Sequence, residues 1–366
     1  MWSNSIGKAF AVTCFGESHG PGVGVAIDGC PAGLHLTVEN IQDALNRRIP
    51  EEKEVASARR EPDMVEIFSG VFQDYTTGAP ITLHIRNREA RSSDYEPLKD
   101  VIRPGHADYP AKVKYGGYSD YRGGGRLSGR MTAAFVAAGS VASKLLENFG
   151  VEVLSYTHSV GQYELDALPT SDDVRKLTYA NSMRCPDPSL AEKMRGAVLD
   201  AKAEGDSLGG IVECCVNNLP VGVGEPIFDS LDAELAKILF GIPAVKGVEF
   251  GAGFAASRLK GSQNNDQFTM KDGKIITVTN NSGGILGGMS TGMPLLLRAA
   301  LKPPSSIAKE QRTVNMAKME ESTLGVRGRH DPCVVPKAVP VVQAMVAIEI
   351  ADLMIRGGMI PRVLKS

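Results

Sequence analysis

Gly16-Glu17-Ser18-His19-Gly20, followed by Val23-Gly24-Val25-Ala26-Ile27-Asp28, by Pro31-Ala32-Gly33 and by a helical pattern over residues 37–48, decides the fold because most of it recurs. Gly205-Asp206-Ser207-Leu208-Gly209 leads into an apolar run at residues 211–216, then Pro220-Val221-Gly222 and a helical pattern over residues 229–240. The parallel continues in Thr77-Gly78-Ala79-Pro80 against Thr291-Gly292-Met293-Pro294, and in segment 103–108 against 327–331, each before an apolar helical pattern. Self-similarity of this kind predicts two related halves, roughly 8–150 and 200–356, within one domain spanning 1–366. Unequal offsets between the matched pieces fit insertions in surface loops. The second copy has Leu208 where the first has His19, so scaffold accounts for what the copies share and chemistry for the histidine.

Periodicity predicts an α+β protein with two layers of strand around buried helix. Met131, Phe135, Ala138, Ala142 and Leu145 follow helical spacing, with Gly150 expected at C′. Asp229 is the expected cap of a helix whose apolar face is Leu231, Leu235 and Ile238, ending at Gly241. Residues 341–355 are apolar nearly all round, which places them between layers. Strand-like alternation occurs at 10–14, 23–28, 81–86 and 211–216. Without regular βαβ alternation, a doubly wound parallel sheet is not expected.

The 366 residues are 43% hydrophobic and 22% charged, enough for a large buried core. Run 341–355 is shorter than the roughly 20 residues that cross a bilayer and contains Glu349 and Asp352, so no membrane association is expected. Six cysteines without a C-x-x-C pair, and no visible leader, predict a reducing cytoplasm and no metal site. A formal net charge of −2 provides no general field for nucleic acid, so any basic patch must be a local site.

Such a patch lies at residues 103–130, where one histidine, acids and four arginines sit in glycine-rich chain before a helical pattern. Glycine allows close backbone approach to a ligand, and a helix start favours anions; Arg126, Ser128 and Arg130 sit at that start. Arg48, Arg59, Arg60, Arg103, Arg122, Arg126, Arg130 and Arg329 suit an organic phosphate carrying carboxylates. His19, His106 and Asp331 supply groups for proton transfer. A second cradle, the glycines around Gly287 with Lys302-Pro303-Pro304-Ser305-Ser306, points to a phosphorylated cofactor as well. Gly16-Glu17-Ser18-His19-Gly20 also fits the G-x-S-x-G nucleophile elbow, so a serine hydrolase competes; an elbow needs a helix directly after it, and an extended pattern follows here. Gly123-Gly124-Gly125-Arg126 invites an RGG-type RNA-binding reading, against which stands its place beside an ordered core.

Three separated blocks carry a family resemblance over essentially the whole chain: the 16–20 motif; Arg103-Pro104-Gly105-His106-Ala107-Asp108 with Tyr121-Arg122-Gly123-Gly124-Gly125-Arg126; and Gly328-Arg329-His330-Asp331-Pro332-Cys333. With Gly205-Asp206-Ser207 and Lys246-Gly247-Val248-Glu249, they make the chain resemble chorismate synthases. The resemblance implies a β-α-β sandwich of two pseudo-symmetric halves, with a buried helical layer between antiparallel sheets, in a homotetramer. It implies conversion of 5-enolpyruvylshikimate 3-phosphate to chorismate and phosphate, with reduced FMN required but not consumed. By the same resemblance His19 would protonate or stabilise the leaving phosphate, His106 and Asp331 would lie beside the flavin, and Ser18 and Ser128 would support them. Arg48, Arg103, Arg130 and Arg329 would grip substrate, while Arg126, Leu127, Ser128, Pro243, Ala244, Gly287, Lys302, Pro303, Pro304, Ser305, Ser306 and Arg329 would line the FMN site.

The chain departs from that family after Arg47-Arg48, where Ile49-Pro50-Glu51-Glu52-Lys53-Glu54 replaces a more basic continuation. Three glutamates weaken an anion clamp there, and with it the reading of Arg48 as an NADP ligand. Lys53, Arg59 or Arg60 could compensate. A monofunctional enzyme supplied by an external flavin reductase is the expectation. Loops 49–60 and 87–100 are the expected closing segments.

Overall fold

The computed structural model describes residues 3–49, 52, 55, 61–88, 95–96, 98–326 and 331–365. Two five-stranded antiparallel sheets enclose a layer of helices. The first sheet has the order β1 (Ser5–Ile6), β2 (Ala11–Gly16), β3 (Gly22–Asp28), β7 (Ile81–Arg86), β4 (Val65–Ser69), with a small hairpin of β5 (Val71–Phe72) and β6 (Tyr75–Thr76) beside it. The second has the order β11 (Val245–Phe250), β16 (Leu295–Leu301), β10 (Gly210–Asn217), β8 (Glu152–Val160), β9 (Tyr163–Glu164). Setting aside the two-residue strands, both sheets arrange their strands as first, second, fourth, third: β2-β3-β7-β4 and β8-β10-β16-β11. The expected α+β sandwich with helices between antiparallel sheets is the architecture found.

Alternation explains which side of each strand faces the helices. In β3, Val23, Val25 and Ile27 are fully buried, and in β7 the same holds for Ile81, Leu83 and Ile85. Against this face pack α1 (Val38–Arg48) and α3 (Thr132–Glu147), while α6 (Leu231–Phe240) and α8 (Val335–Arg356) serve the second sheet. Helix α1 starts at a capping box in which Thr37 and Asn40 satisfy each other's backbone N–H, and it buries Ile41 and Leu45. Helices α3 and α8 meet at Gly139, where a Cβ would lie 2.2 Å from the Cβ of Ala344; only glycine permits this approach.

Local expectations are corrected in three places. Ser230, not Asp229, is the N-cap of α6, because Asp229 is taken by Lys8 and by Arg356 at 2.7 Å. Helix α3 ends at Glu147 with C-cap Asn148, so Gly150, at φ 72°, lies beyond C′. Helix α8 begins six residues before the apolar run and carries Pro340 inside it; at 22 residues it is long enough to cross a bilayer, yet it is buried between the sheets. Its Asp352 accepts the backbone N–H groups of Lys8, Ala9 and Phe10 at 2.6, 2.6 and 2.8 Å, tying the central helix to the start of the first sheet.

Candidate active site

The 16–20 motif is the turn between β2 and β3, a hairpin and not an elbow, so strand follows where a hydrolase nucleophile needs helix. Ser18 is fully buried and its hydroxyl donates to the Arg122 carbonyl at 3.2 Å, while its N–H donates to the Gly125 carbonyl at 3.2 Å. Asn87 braces the turn from outside: its amide donates to the carbonyls of Glu17, Ser18 and Gly20 at 2.9, 3.2 and 2.9 Å.

Gly123, Gly124 and Gly125 have φ of 60°, 81° and 52°, a run of left-handed backbone suited to glycine. It brings the chain between the two histidines. A Cβ on Gly123 would lie 2.7 Å from the His19 ring and from Ser18 Oγ; one on Gly124 would lie 3.6 Å from the His106 ring. Tyr95 packs edge-on against His19 with centroids 5.0 Å apart. Gly123→Ala is expected to lower turnover at least about tenfold by displacing His19, and to destabilise by about 1–2 kcal/mol. Steady-state kinetics beside a thermal melt check this, and unchanged turnover would show that the contact does not hold His19.

His106 is oriented by its neighbours. Its Nδ1 lies 2.7 Å from Asp108 Oδ1 and 3.1 Å from Arg103 Nη2. The shorter contact, to a carboxylate, assigns the Nδ1 proton and leaves Nε2 on the Gly124 side. Arg103 is buried and forks onto Asp108 at 2.8 Å through both Nε and Nη2, with Nη1 donating to Ser306 at 3.3 Å. Burial works to raise the Asp108 pKa, but hydrogen bonds from Arg103 and His106 outweigh it and hold the carboxyl well below its ordinary value.

Arg48 and Arg130 converge from two helix ends onto one acid that the sequence reading did not single out. Asp63, fully buried at φ 46°, receives Arg48 Nη1 at 2.8 Å and is also bonded by Arg130 Nη1. Arg48 further donates to Thr132 at 3.0 Å and the Gly129 carbonyl at 3.1 Å. Burial draws the Arg48 guanidinium down from its ordinary value, opposed by Asp63, with Arg130 adding to the fall and Asp331 to the opposition. Arg130 Nε donates to Asn87 at 2.8 Å, so one amide links the His19 turn to this pair. Ser128 Oγ accepts from the Arg130 N–H at 3.2 Å, capping the helical turn before α3. Asp331 is ion-paired to Lys337 at 2.5 Å.

A pocket of about 810 Å³ opens beside these groups, lined among others by His106, Tyr115, Tyr121, Gly124, Arg126 and Leu127. Arg126 lies over the Tyr115 ring at 4.9 Å and donates to its hydroxyl. Segment 302–306 adjoins the same loop: Lys302 Nζ donates to the Gly105 carbonyl and its N–H to the Ala244 carbonyl at 2.9 Å, and a Cβ on Gly105 would lie 3.4 Å from Ser305. Pro304 accepts from Ser207 Oγ at 2.7 Å, and Pro303 abuts Gly209. The volume, the aromatic lining and the cationic and hydroxyl groups fit a planar ring ligand with an anionic tail.

Gly287, with Gly288, forms the turn of a hairpin, β14 (Ile285–Leu286) and β15 (Met289–Ser290), that bonds the N-terminal end of α6, whereas Pro243 and Ala244 follow its C-terminal end. Not every expected residue joins this cluster. Arg122 is spent on Asp120, donating through Nε and Nη2 at 2.8 and 2.9 Å. Arg329, Lys53, Arg59 and Arg60 lie outside the described residues, as does much of loops 49–60 and 87–100. Asp63 and Asn87 were missed; the available signal was the excess of arginines in one site, since buried guanidinium groups require buried acids or amides.

The family model described as chorismate synthase matches residues 10–355. A chorismate synthase of Dehalococcoides mccartyi strain BAV1 is 54% identical over 364 residues, covering 100% of both chains, and one of Methanocella arvoryzae is 52% identical over 98% of this chain and 96% of its own. A crystal structure of chorismate synthase superimposes with a TM-score of 0.75 at 30% identity, covering 96% of this chain and 93% of that one. On this fold, this site and these relatives together, the chain belongs to the chorismate synthase family, carbon–oxygen lyases of the shikimate pathway.

Proposed function

We propose that the chain converts 5-enolpyruvylshikimate 3-phosphate to chorismate and phosphate, with reduced FMN required and not consumed. The observation that carries this reading is the glycine run with His19 on one side and His106 on the other, beside the Arg48–Asp63–Arg130 cluster. Loss of phosphate needs a proton or a cation at the leaving oxygens, and His19 with Arg48 and Arg130 supplies both kinds of group. Arg103, locked by Asp108, orients His106 toward the pocket and presents Ser306 to an anionic tail. Asp331, held by Lys337, would orient a group or accept a proton, and Ser18 and Ser128 fix the backbone on which His19 and Arg130 sit. Arg126, Leu127, Ala244, Lys302, Ser305 and Ser306 would hold the FMN. When bound, the reduced flavin supplies an electron-rich ring system that eases C–O cleavage without net redox change.

Glu51, Glu52 and Glu54, standing after Arg48 in place of a more basic continuation, support an enzyme that takes its reduced flavin from an external reductase. Exposed apolar side chains, among them Ile227, Phe228, Phe254, Phe268 and Met270, support a covered surface and the homotetramer. The matching strand orders support one domain of two related halves, the second taking in β8 at Glu152–Val160, which lies before the expected 200–356. We place the enzyme in the cytoplasm.

Anaerobic incubation with 5-enolpyruvylshikimate 3-phosphate and dithionite-reduced FMN tests the reaction. Chorismate absorbance is expected with reduced flavin and absent with oxidised flavin or with NADPH and FMN alone, and His106→Ala is expected to reduce turnover by about 10²-fold or more. Folded, flavin-binding protein that forms no chorismate would overturn the reading.

A further inference from the structure

Gly205-Asp206-Ser207-Leu208-Gly209 matches the 16–20 motif in sequence without its histidine, and lies between α5 (Pro188–Ala203) and β10. Each of its five residues meets one of two segments, 303–309 or 332–333. The Gly205 carbonyl accepts the N–H groups of Ala308 and Lys309 at 2.9 and 3.1 Å, and Asp206 receives the Lys309 ammonium at 2.9 Å. Ser207 is buried and donates its hydroxyl to the Pro304 carbonyl at 2.7 Å. A Cβ on Gly209 would lie 3.0 Å from the Pro303 ring, so glycine makes room for that proline. On the other side the Leu208 N–H donates to the Pro332 carbonyl at 2.8 Å, and Leu208 bridges to Cys333, directly after Asp331.

Pro303 and Pro304 have no N–H, so the backbone of this stretch can be hydrogen-bonded in place only through its carbonyls, and Ser207 supplies the donor for Pro304. The flanks are held separately, Lys302 by the Ala244 carbonyl and Ser306 by Arg103. The first turn works in the same way: Ser18 donates its hydroxyl to the Arg122 carbonyl and its N–H to Gly125, holding the glycine run. Where that turn carries His19, the second carries Leu208, whose methyls pack toward Gly161. One turn holds a backbone segment and bears a proton-transfer group; the other only holds backbone.

We propose that the 205–209 turn is a positioning device for the flavin side of the reaction centre. Through Ser207 it fixes the 302–306 cradle, and through the Leu208 N–H it sets that cradle in register with Asp331. The proposal rests on the assignment of 302–306 to the FMN. Ser207 acts through the Pro304 carbonyl and not by contact with the ligand: a cradle ordered in advance loses less conformational freedom when the flavin binds. The arginines that grip substrate are held by Asp63 and Asn87, away from this turn, so flavin affinity and substrate affinity separate.

Full-length protein is titrated anaerobically with FMN, oxidised and then dithionite-reduced, following flavin absorbance, and the KM for 5-enolpyruvylshikimate 3-phosphate is measured at saturating reduced flavin. Two variants are used: Ser207→Ala, and Ser207→Cys, which keeps the volume with a poor donor. Each is expected to weaken flavin binding by about fivefold while the substrate KM stays within about twofold of the parent. Circular dichroism melts establish that both variants are folded. Equal flavin affinity in the parent and both variants would overturn the proposal. So would a substrate KM that rises in step with the flavin constant, which would make Ser207 a general structural residue. A parent that binds no FMN would refute the assignment of the cradle itself, and the proposal with it.

Discussion

Replacing Asp63 by alanine is expected to destabilise the protein by about 3–5 kcal/mol and to reduce turnover by more than an order of magnitude. Asp63 is the shared counter-charge of Arg48 and Arg130, and it is itself fully buried. Arg130 is buried too, so removing the carboxylate leaves guanidinium groups with too few acceptors in a place water does not reach. The same pair lies at the ends of α1 and α3, and Arg130 continues through Asn87 to the His19 turn. Loss of the acid therefore loosens the anion-binding arginines and the histidine support together. Urea unfolding at neutral pH measures the first effect and steady-state kinetics the second. Asp63→Asn, which keeps volume and one acceptor, should fall between parent and alanine variant. A loss below about 1 kcal/mol in the alanine variant would show that the arginines find other partners.

The largest effect of pH is expected at Glu349, in the middle of α8. The residue is fully buried and neither carboxyl oxygen has a hydrogen-bond partner among the described residues. Burial, with Asp352 and Glu234 nearby, pushes its pKa up to about 8 from an ordinary value of 4.5, against weaker opposition from Lys237 and Arg356. Below pH 4.5 the folded and unfolded chains both hold the proton and the group is neutral in each. Between 4.5 and about 8 the unfolded chain releases the proton while the folded one retains it, so stability falls as pH rises. Above that window the folded chain also releases it and the loss levels off. Glu349→Gln keeps the polar group without the ionisation. Relative to the parent it should be near neutral at pH 4.5 and more stable by a few kcal/mol, roughly 3–5, at pH 9. Denaturant titrations at both pH values check this, and parallel stability curves across the window would refute the assignment.

Both residues show where sequence reading stopped. Asp63 lies in a short segment with no periodicity, and Glu349 interrupts an apolar run in a way that composition alone reads as a helix unfit for a membrane. The role of each depends on partners far away in sequence: Arg130 is 67 residues from Asp63, and Glu234 lies on a different helix from Glu349. The misplaced cap of α6 has the same origin. Asp229 is a good local capping residue, but two cations from residues 8 and 356 outcompete one turn of backbone N–H groups, and Ser230 takes the cap position.

By itself the sequence determined the alternation that makes β3, β7 and β10, the apolar periodicity of α3 and α8, the glycine run at 123–125 and the blocks bearing His19 and His106. These are local properties: side-chain period and glycine's freedom at positive φ act over a few residues and need no partner. Only the tertiary structure decided that the glycine run passes between the two histidines, that Asp63 and Asn87 gather the arginines, and that Arg122 is spent on Asp120. Charge compensation and close packing are settled between distant segments, by which groups the sheets and helices bring out of water together.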